Sequence, residues 1–162
     1  MKKLCVLLAA VLLLTGCAAE ETFETIADVY GEQNLPQPKQ VVLTIPEEAA
    51  AQAIVGSSGT LYLCDGYEIT VETLSAGDIN STFRQLTGFE TDDLTVMETA
   101  QLGFSRYECV WTAAGEGGDM VGRVAVLDDG NFHYCVTVMA GAAEAGKLQS
   151  TWKDLLNGFS AA

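Results

Sequence analysis

Met120-Val121-Gly122-Arg123-Val124-Ala125-Val126-Leu127-Asp128-Asp129-Gly130-Asn131-Phe132-His133-Tyr134-Cys135-Val136-Thr137-Val138-Met139 is the stretch on which the fold turns. Two short runs rich in β-branched and aromatic residues flank four turn formers, the pattern of two strands joined by a tight hairpin. Working upstream, Phe104 to Thr112 and Leu94 to Thr99 repeat it, with Ala113 to Asp119 as a longer glycine-rich link. These segments predict a four-strand antiparallel meander. Asp128-Asp129-Gly130-Asn131 also invites a calcium reading. A calcium loop, however, spreads its oxygen ligands over about a dozen residues and ends on a bidentate Glu. Here Phe132 and His133 follow at once, so the hairpin explains the acids better.

Further upstream, Asp78 is placed to cap a helix, because its carboxylate can accept the free amides of the first turn. Ile79, Phe83 and Leu86 then share one face, and Gly88 sits where a helix-ending glycine belongs. Thr60 to Cys64 and Tyr67 to Thr73 flank Asp65-Gly66, which favours a two-residue type I′ hairpin. Tyr67, Ile69 and Val71 alternate with Glu68, Thr70 and Glu72, predicting one buried and one wet face. Val41 to Ile45, stopped by Pro46, reads as a first strand, and Ala- and Glu-rich Glu47 to Val55 as a helical turn or two broken by Gly56-Ser57-Ser58-Gly59. Downstream, Ala142 to Phe159 reads as one helix, with Leu148, Trp152, Leu155, Leu156 and Phe159 at helical spacing. The order is strand, hairpin, helix, four-strand meander, C-terminal helix. It predicts an α+β domain over residues 41–162 with a single antiparallel sheet and helices packed on it. Trp111 and Trp152 are expected as core anchors.

Before the domain the composition changes. Residues 18–40 lack a hydrophobic period apart from Phe23, Ile26 and Tyr30, and carry Glu20, Glu21, Glu24, Asp28, Pro36 and Pro38, so they read as a tether. Earlier still, Met1-Lys2-Lys3 precedes an apolar run, Leu4 to Leu14, and then Thr15-Gly16-Cys17. The run is shorter than the ~20 residues a spanning helix needs, and matches the core of a secretory signal.

Leu14-Thr15-Gly16-Cys17 resembles the lipobox of bacterial lipoproteins. The resemblance implies that residues 1–16 are a signal peptide and that Cys17 takes a thioether-linked diacylglycerol, becoming the first residue of a tether over 17–40. Two acyl chains give lasting attachment where one does not. The chain is then expected at the cell membrane, on its extracytoplasmic face. The element order in turn resembles the Mog1/PsbP-type fold, which small lipoproteins of Gram-positive gut bacteria share. It rests on the Val41–Pro46 strand, Leu86-Thr87-Gly88-Phe89, Arg106-Tyr107-Glu108-Cys109-Val110-Trp111, Leu127-Asp128-Asp129-Gly130 and the Trp152–Phe159 helix, over roughly residues 41–160. That fold serves roles as different as photosystem assembly and nuclear-transport regulation, so it transfers none.

Charge and chemistry narrow the function. The formal charge is −14, and loss of Lys2 and Lys3 with the signal leaves 22 acidic against 6 scattered basic side chains, or −16. Nucleic acid, which needs clustered Lys and Arg, is excluded as a partner. His133 is the sole histidine, so two-histidine metal sites are impossible. No Gly-x-Ser-x-Gly elbow occurs, and Gly56-Ser57-Ser58-Gly59 lacks the lysine of a phosphate loop. No catalytic residue, cofactor or metal ligand is predicted. Cys64, Cys109 and Cys135 are expected as small hydrophobes. In the meander Cys109 and Cys135 stand about 9.6 Å apart across the intervening strand, beyond the roughly 7 Å a disulfide spans. Gly115-Glu116-Gly117-Gly118-Asp119 is the expected binding loop, since loops on a rigid scaffold carry function. The expectation is a non-catalytic binding or envelope-assembly module, attached to the membrane through the lipid on Cys17 and facing a protein or envelope partner. The alternatives are an acidic-residue hydrolase, with Glu108, Glu116 and Asp119 as its carboxylates, or a small-ligand-binding protein at the cell surface.

Overall fold

A computed structural model of the chain describes residues 35–55 and 57–162. The signal peptide, Cys17 and most of the tether lie outside the described residues, as does Gly56. Within them a compact unit runs from Pro36 to Ala162.

The expected meander is present. β5 (Met97–Gln101), β6 (Phe104–Gly115), β7 (Gly118–Asp128) and β8 (Phe132–Gly141) lie side by side, and the hairpin of β3 (Thr60–Cys64) and β4 (Tyr67–Ser75) joins them through β4 against β8. Every neighbouring pair is antiparallel. Asp78 caps α1 (Ile79–Thr87) by accepting from the Asn80 and Ser81 amides, and Gly88 ends it at φ 83°.

The single-sheet expectation is corrected. The large sheet has seven strands, β2 (Ala50–Ala53) at one edge followed by β3, β4, β8, β7, β6 and β5, and a second sheet pairs β1 (Val41–Val42) with β9 (Ser160–Ala161). The α+β class stands. The expected first strand thus shrinks to two residues, and Leu43 and Ile45 pack on the core instead. The helical turn expected within Glu47 to Val55 is a strand, β2 (Ala50–Ala53), laid along β3. Alanine prefers a helix, but the open edge of β3 offers backbone partners that an isolated turn would lack. The C-terminal helix is two pieces, α2 (Ala142–Ala145) and α3 (Gln149–Gly158), separated by a turn over residues 146–148. Asp65 keeps a negative φ, so the β3–β4 turn is not type I′. The left-handed pair belongs to the β5–β6 turn instead, where Leu102 (φ 51°) and Gly103 (φ 88°) are both positive.

The central strands are covered on both sides, so the wet face expected along β4 is largely sheltered. Ile69, Ala125, Leu127, Tyr134, Val136 and Val138 meet Trp152, Leu155, Leu156 and Phe159 of the C-terminal segment. On the other face Cys109, Trp111, Val124, Val126 and Cys135 pack with Phe83 of α1. Both tryptophans are core residues, as expected, and the three cysteines of the domain are free. Cys109 and Cys135 stand on the two strands that flank β7.

Candidate functional site

Strand register sets which side chains share a face, because successive residues point to opposite sides. On the face that carries α3, Met97 of β5 stands opposite Glu108 of β6, and Glu108 opposite Ala125 of β7. In the next row Val110 faces Arg123, which faces Val138 of β8. Beyond it Thr112 faces Val121. The apolar side chains of α3 cover the β4, β8 and β7 part of these rows. The β5–β6 side is left open, and there Met97 is 57% and Val110 54% exposed.

Two adjoining cavities occupy the open part. One of about 450 Å³ is lined by Val110, Val121, Arg123, Ala145, Gln149 and Trp152 among others. A second, of about 310 Å³, is lined by Thr95, Met97, Glu108, Val110 and Arg123 among others. Val110 and Arg123 wall both, so together they form one trough.

Its polar floor is asymmetric. Arg106, 6% exposed, donates to Glu108, to the Gln101 side chain and to the Leu156 carbonyl. The last contact adds a second donor to a carbonyl in the final turn of α3 that also accepts from the Phe159 amide, at a helix end where a cation is favoured. Glu108 sits 2.5 Å from Arg106 but 4.0 Å from Arg123. Two guanidiniums therefore share one carboxylate, and the local balance is positive in a strongly acidic chain. Arg106 has its partners, whereas Arg123 meets its carboxylate only at the edge of ion-pair range. Trp152, lining the same trough, has a buried indole N–H with no acceptor.

The predicted binding residues lie at one end of this face. Gly115 pairs with Gly118, so only Glu116 and Gly117 link β6 to β7, and the expected longer loop is a tight hairpin tip. Asp119, opposite Ala114, is on the trough side of β7, four residues from Arg123. Of the three carboxylates expected for a hydrolase, Glu116 and Asp119 are exposed and Glu108 is held by arginines.

Sequence reasoning missed the trough. A strand reading of Arg106-Tyr107-Glu108 already places opposite charges two residues apart on one face. The turn over residues 146–148, with the lining residues Ala145, Gly146 and Gln149 in and beside it, was concealed by the expected continuous helix.

Other chemistry-bearing groups are occupied structurally. His133, fully buried on the α1 side, has Nδ1 2.7 Å from the Thr82 hydroxyl, while its Nε2 lies 3.7 Å from Asp128 and makes no hydrogen bond. The order Thr, His, Asp imitates a hydrolytic relay, but the hydroxyl is buried and the carboxylate is beyond hydrogen-bond reach. Burial pushes the Cys109 thiol up to about 11 and raises those of Cys135 and Cys64 as well, which disfavours thiolate chemistry. At the opposite end of the sheet, burial pushes the Asp129 carboxyl up. The Asn131 and Phe132 amides, the Tyr134 hydroxyl and Lys39 outweigh this and hold it below its ordinary value. Among the described residues, no group of three or more His, Cys, Asp or Glu side chains is gathered to hold a metal, and no helix is long and apolar enough to cross a membrane.

No protein-family model matches the sequence, and no curated protein is similar to it. Among solved structures, the chain overlays cyanobacterial PsbP (CyanoP) from Synechocystis sp. PCC 6803 at a TM-score of 0.57. Identity is 8%, over 80% of this chain and 96% of that one. A crystal structure from Bacteroides thetaiotaomicron overlays at 0.51, with 10% identity over 75% of this chain and 45% of that one. LpqN, described as involved in cell envelope biogenesis of Mycobacterium tuberculosis, reaches 0.48 at 14% identity, over 85% of this chain and 96% of that one. That overlap is too loose to carry an argument. At these identities the likeness is one of fold alone: the domain has a PsbP-like α+β fold, as the order of its elements implied.

Proposed function

We propose that this chain is a non-catalytic binding module, held at the extracytoplasmic face of the membrane by a lipid on Cys17, which engages its partner through the trough on its sheet. The observation that carries the binding half is the open set Met97, Val110 and Arg123, on a face that α3 covers over β4, β8 and part of β7 but leaves open over β5 and β6. Apolar side chains around a few placed polar groups are the usual lining of a ligand site. The reading as a non-enzyme is supported by the placement of the candidate acids: Glu108 is held by Arg106, while Glu116 and Asp119 are exposed at the hairpin tip, away from it. The tip residues Gly115, Glu116, Gly117, Gly118 and Asp119, at the end of β6 and β7, are a second proposed contact for the same partner. The membrane half rests on the lipobox sequence.

Each half has its own test. Cys17→Ser should move the protein out of the membrane fraction with its thermal melt unchanged, and persistence in the membrane would defeat the anchor. A photocrosslinking side chain at position 110, compared in native cells with one at exposed Lys153, should give a discrete adduct only at 110. Equal labelling at both positions would defeat the trough.

A further inference from the structure

We infer that the trough takes an anionic amphiphile, a carboxylate on an unbranched apolar chain, with the carboxylate at Arg123 and the chain along Val110 and Val121. This rests on the trough being the binding site, and it adds the chemical class of the ligand.

Two observations converge on that class. The walls are apolar, and Val110 and Met97 are more exposed than such residues gain from being. The floor holds a surplus cation: Arg106 is satisfied by Glu108, Gln101 and the Leu156 carbonyl, leaving Arg123 with half of one distant carboxylate. The Arg123 side chain is 26% exposed, so an arriving anion meets it partly desolvated, where charge-assisted hydrogen bonds strengthen. Finally, Trp152, 2% exposed, lines the same cavity as Arg123, Val110 and Val121, so its indole reports on anything seated there.

A cationic amphiphile meets Arg123 repulsively, and a neutral one adds no charge partner to the distant Glu108. The trough is open along one side, so chain burial is partial. At roughly half the ~0.8 kcal/mol of a fully buried methylene, four methylenes change affinity about tenfold.

The test uses the lipidated full chain in phosphatidylcholine nanodiscs, titrated with carboxyl-labelled dodecanoate. Carbon NMR reads the carboxylate, and nitrogen NMR reads the indole N–H groups. The expected result is a saturable shift of the carboxylate with movement of one indole signal, and about tenfold weaker binding of octanoate. Dodecyl maltoside and dodecyltrimethylammonium should not compete. Arg123→Gln should weaken dodecanoate about tenfold, while Arg123→Lys, which keeps the charge, should stay within about threefold. If Arg123→Gln does not fold, the lysine variant and the two competitors decide. Equal competition by the neutral detergent, no saturable shift, or unchanged affinity in Arg123→Gln would overturn the inference. So would displacement of dodecanoate by an apolar peptide with a free C-terminal carboxylate at a lower concentration than dodecanoate itself needs. A position-110 adduct in cells without dodecanoate binding would remove the ligand class and leave the binding module standing.

Discussion

Gly122 lies directly opposite Trp111 on neighbouring strands, and a side chain there has nowhere to go. An alanine Cβ would stand 2.4, 2.5 and 2.6 Å from Cζ2, Cη2 and Cε2 of the indole. Ordinary contacts begin near 3.4 Å, so the ring or the strand must give by about 1 Å. Trp111 is 6% exposed and wedged in the cluster of Phe83, Cys109 and Val124, where close packing leaves little slack. Overpacking of this kind costs about 1–3 kcal/mol. Gly122→Ala should therefore lower the urea midpoint with the slope unchanged, and lower Tm by roughly 4 °C per kcal/mol. All three clashing atoms belong to the six-membered part of the indole, so Trp111→Phe removes the obstruction. The double variant should be at least ~1 kcal/mol more stable than the sum of the single effects predicts. A neutral Gly122→Ala, or strict additivity in the cycle, would refute the stacking of Trp111 on Gly122.

Leu102 is 85% exposed at φ 51° in the β5–β6 turn, a conformation that asparagine adopts with less strain. Leu102→Asn should raise stability by about 1 kcal/mol in chemical denaturation, and a loss would show that the leucine makes contacts the turn needs. Asp129 has a depressed carboxyl pKa, so its contribution is present above the unfolded value near 3.9 and is lost as pH falls through the folded value. Asp129→Asn should accordingly be less stable than the parent at pH 7, with the gap closing below about pH 4; a gap that stayed constant with pH would sink this account. With a maleimide probe followed by peptide mass mapping, Cys64, which is partly exposed, should react first. Cys109 and Cys135 should react only as fast as the domain unfolds. A Cys109–Cys135 linked peptide would contradict the strand order itself.

Where the sequence could be read, local chemistry and tertiary demand agreed. Period-two alternation and Asp128-Asp129-Gly130-Asn131 place β7 and β8, and the cap at Asp78 with Gly88 places α1, because all of these signals act within a few residues. β2 was illegible because Ala50 to Ala53 prefers helix and becomes a strand only when β3 is beside it. β9 is two residues long and exists only through β1. The trough brings together a turn between two helices, a register across three strands and an arginine surplus that no single segment carries. Arg106 illustrates the limit: a lone basic residue in the sequence, it joins Gln101 at the end of β5, Glu108 of β6 and the last turn of α3.

The small β1–β9 sheet has a consequence for how the domain is threaded. The Gln40 amide donates to the Ala162 carbonyl at 2.9 Å and the Ala162 amide to the Gln40 carbonyl at 3.0 Å, so the two ends of the fold are fastened to each other. Topologically the domain is nearly a ring, broken by a gap that one short peptide linker would close. Its ends could then be moved elsewhere, for example to the exposed Glu116-Gly117 tip, with every strand pairing of the seven-stranded sheet kept. A fusion placed after Ala162 emerges beside the point where the chain enters the domain, so cargo and tether share one pole, and Glu116-Gly117 marks the other.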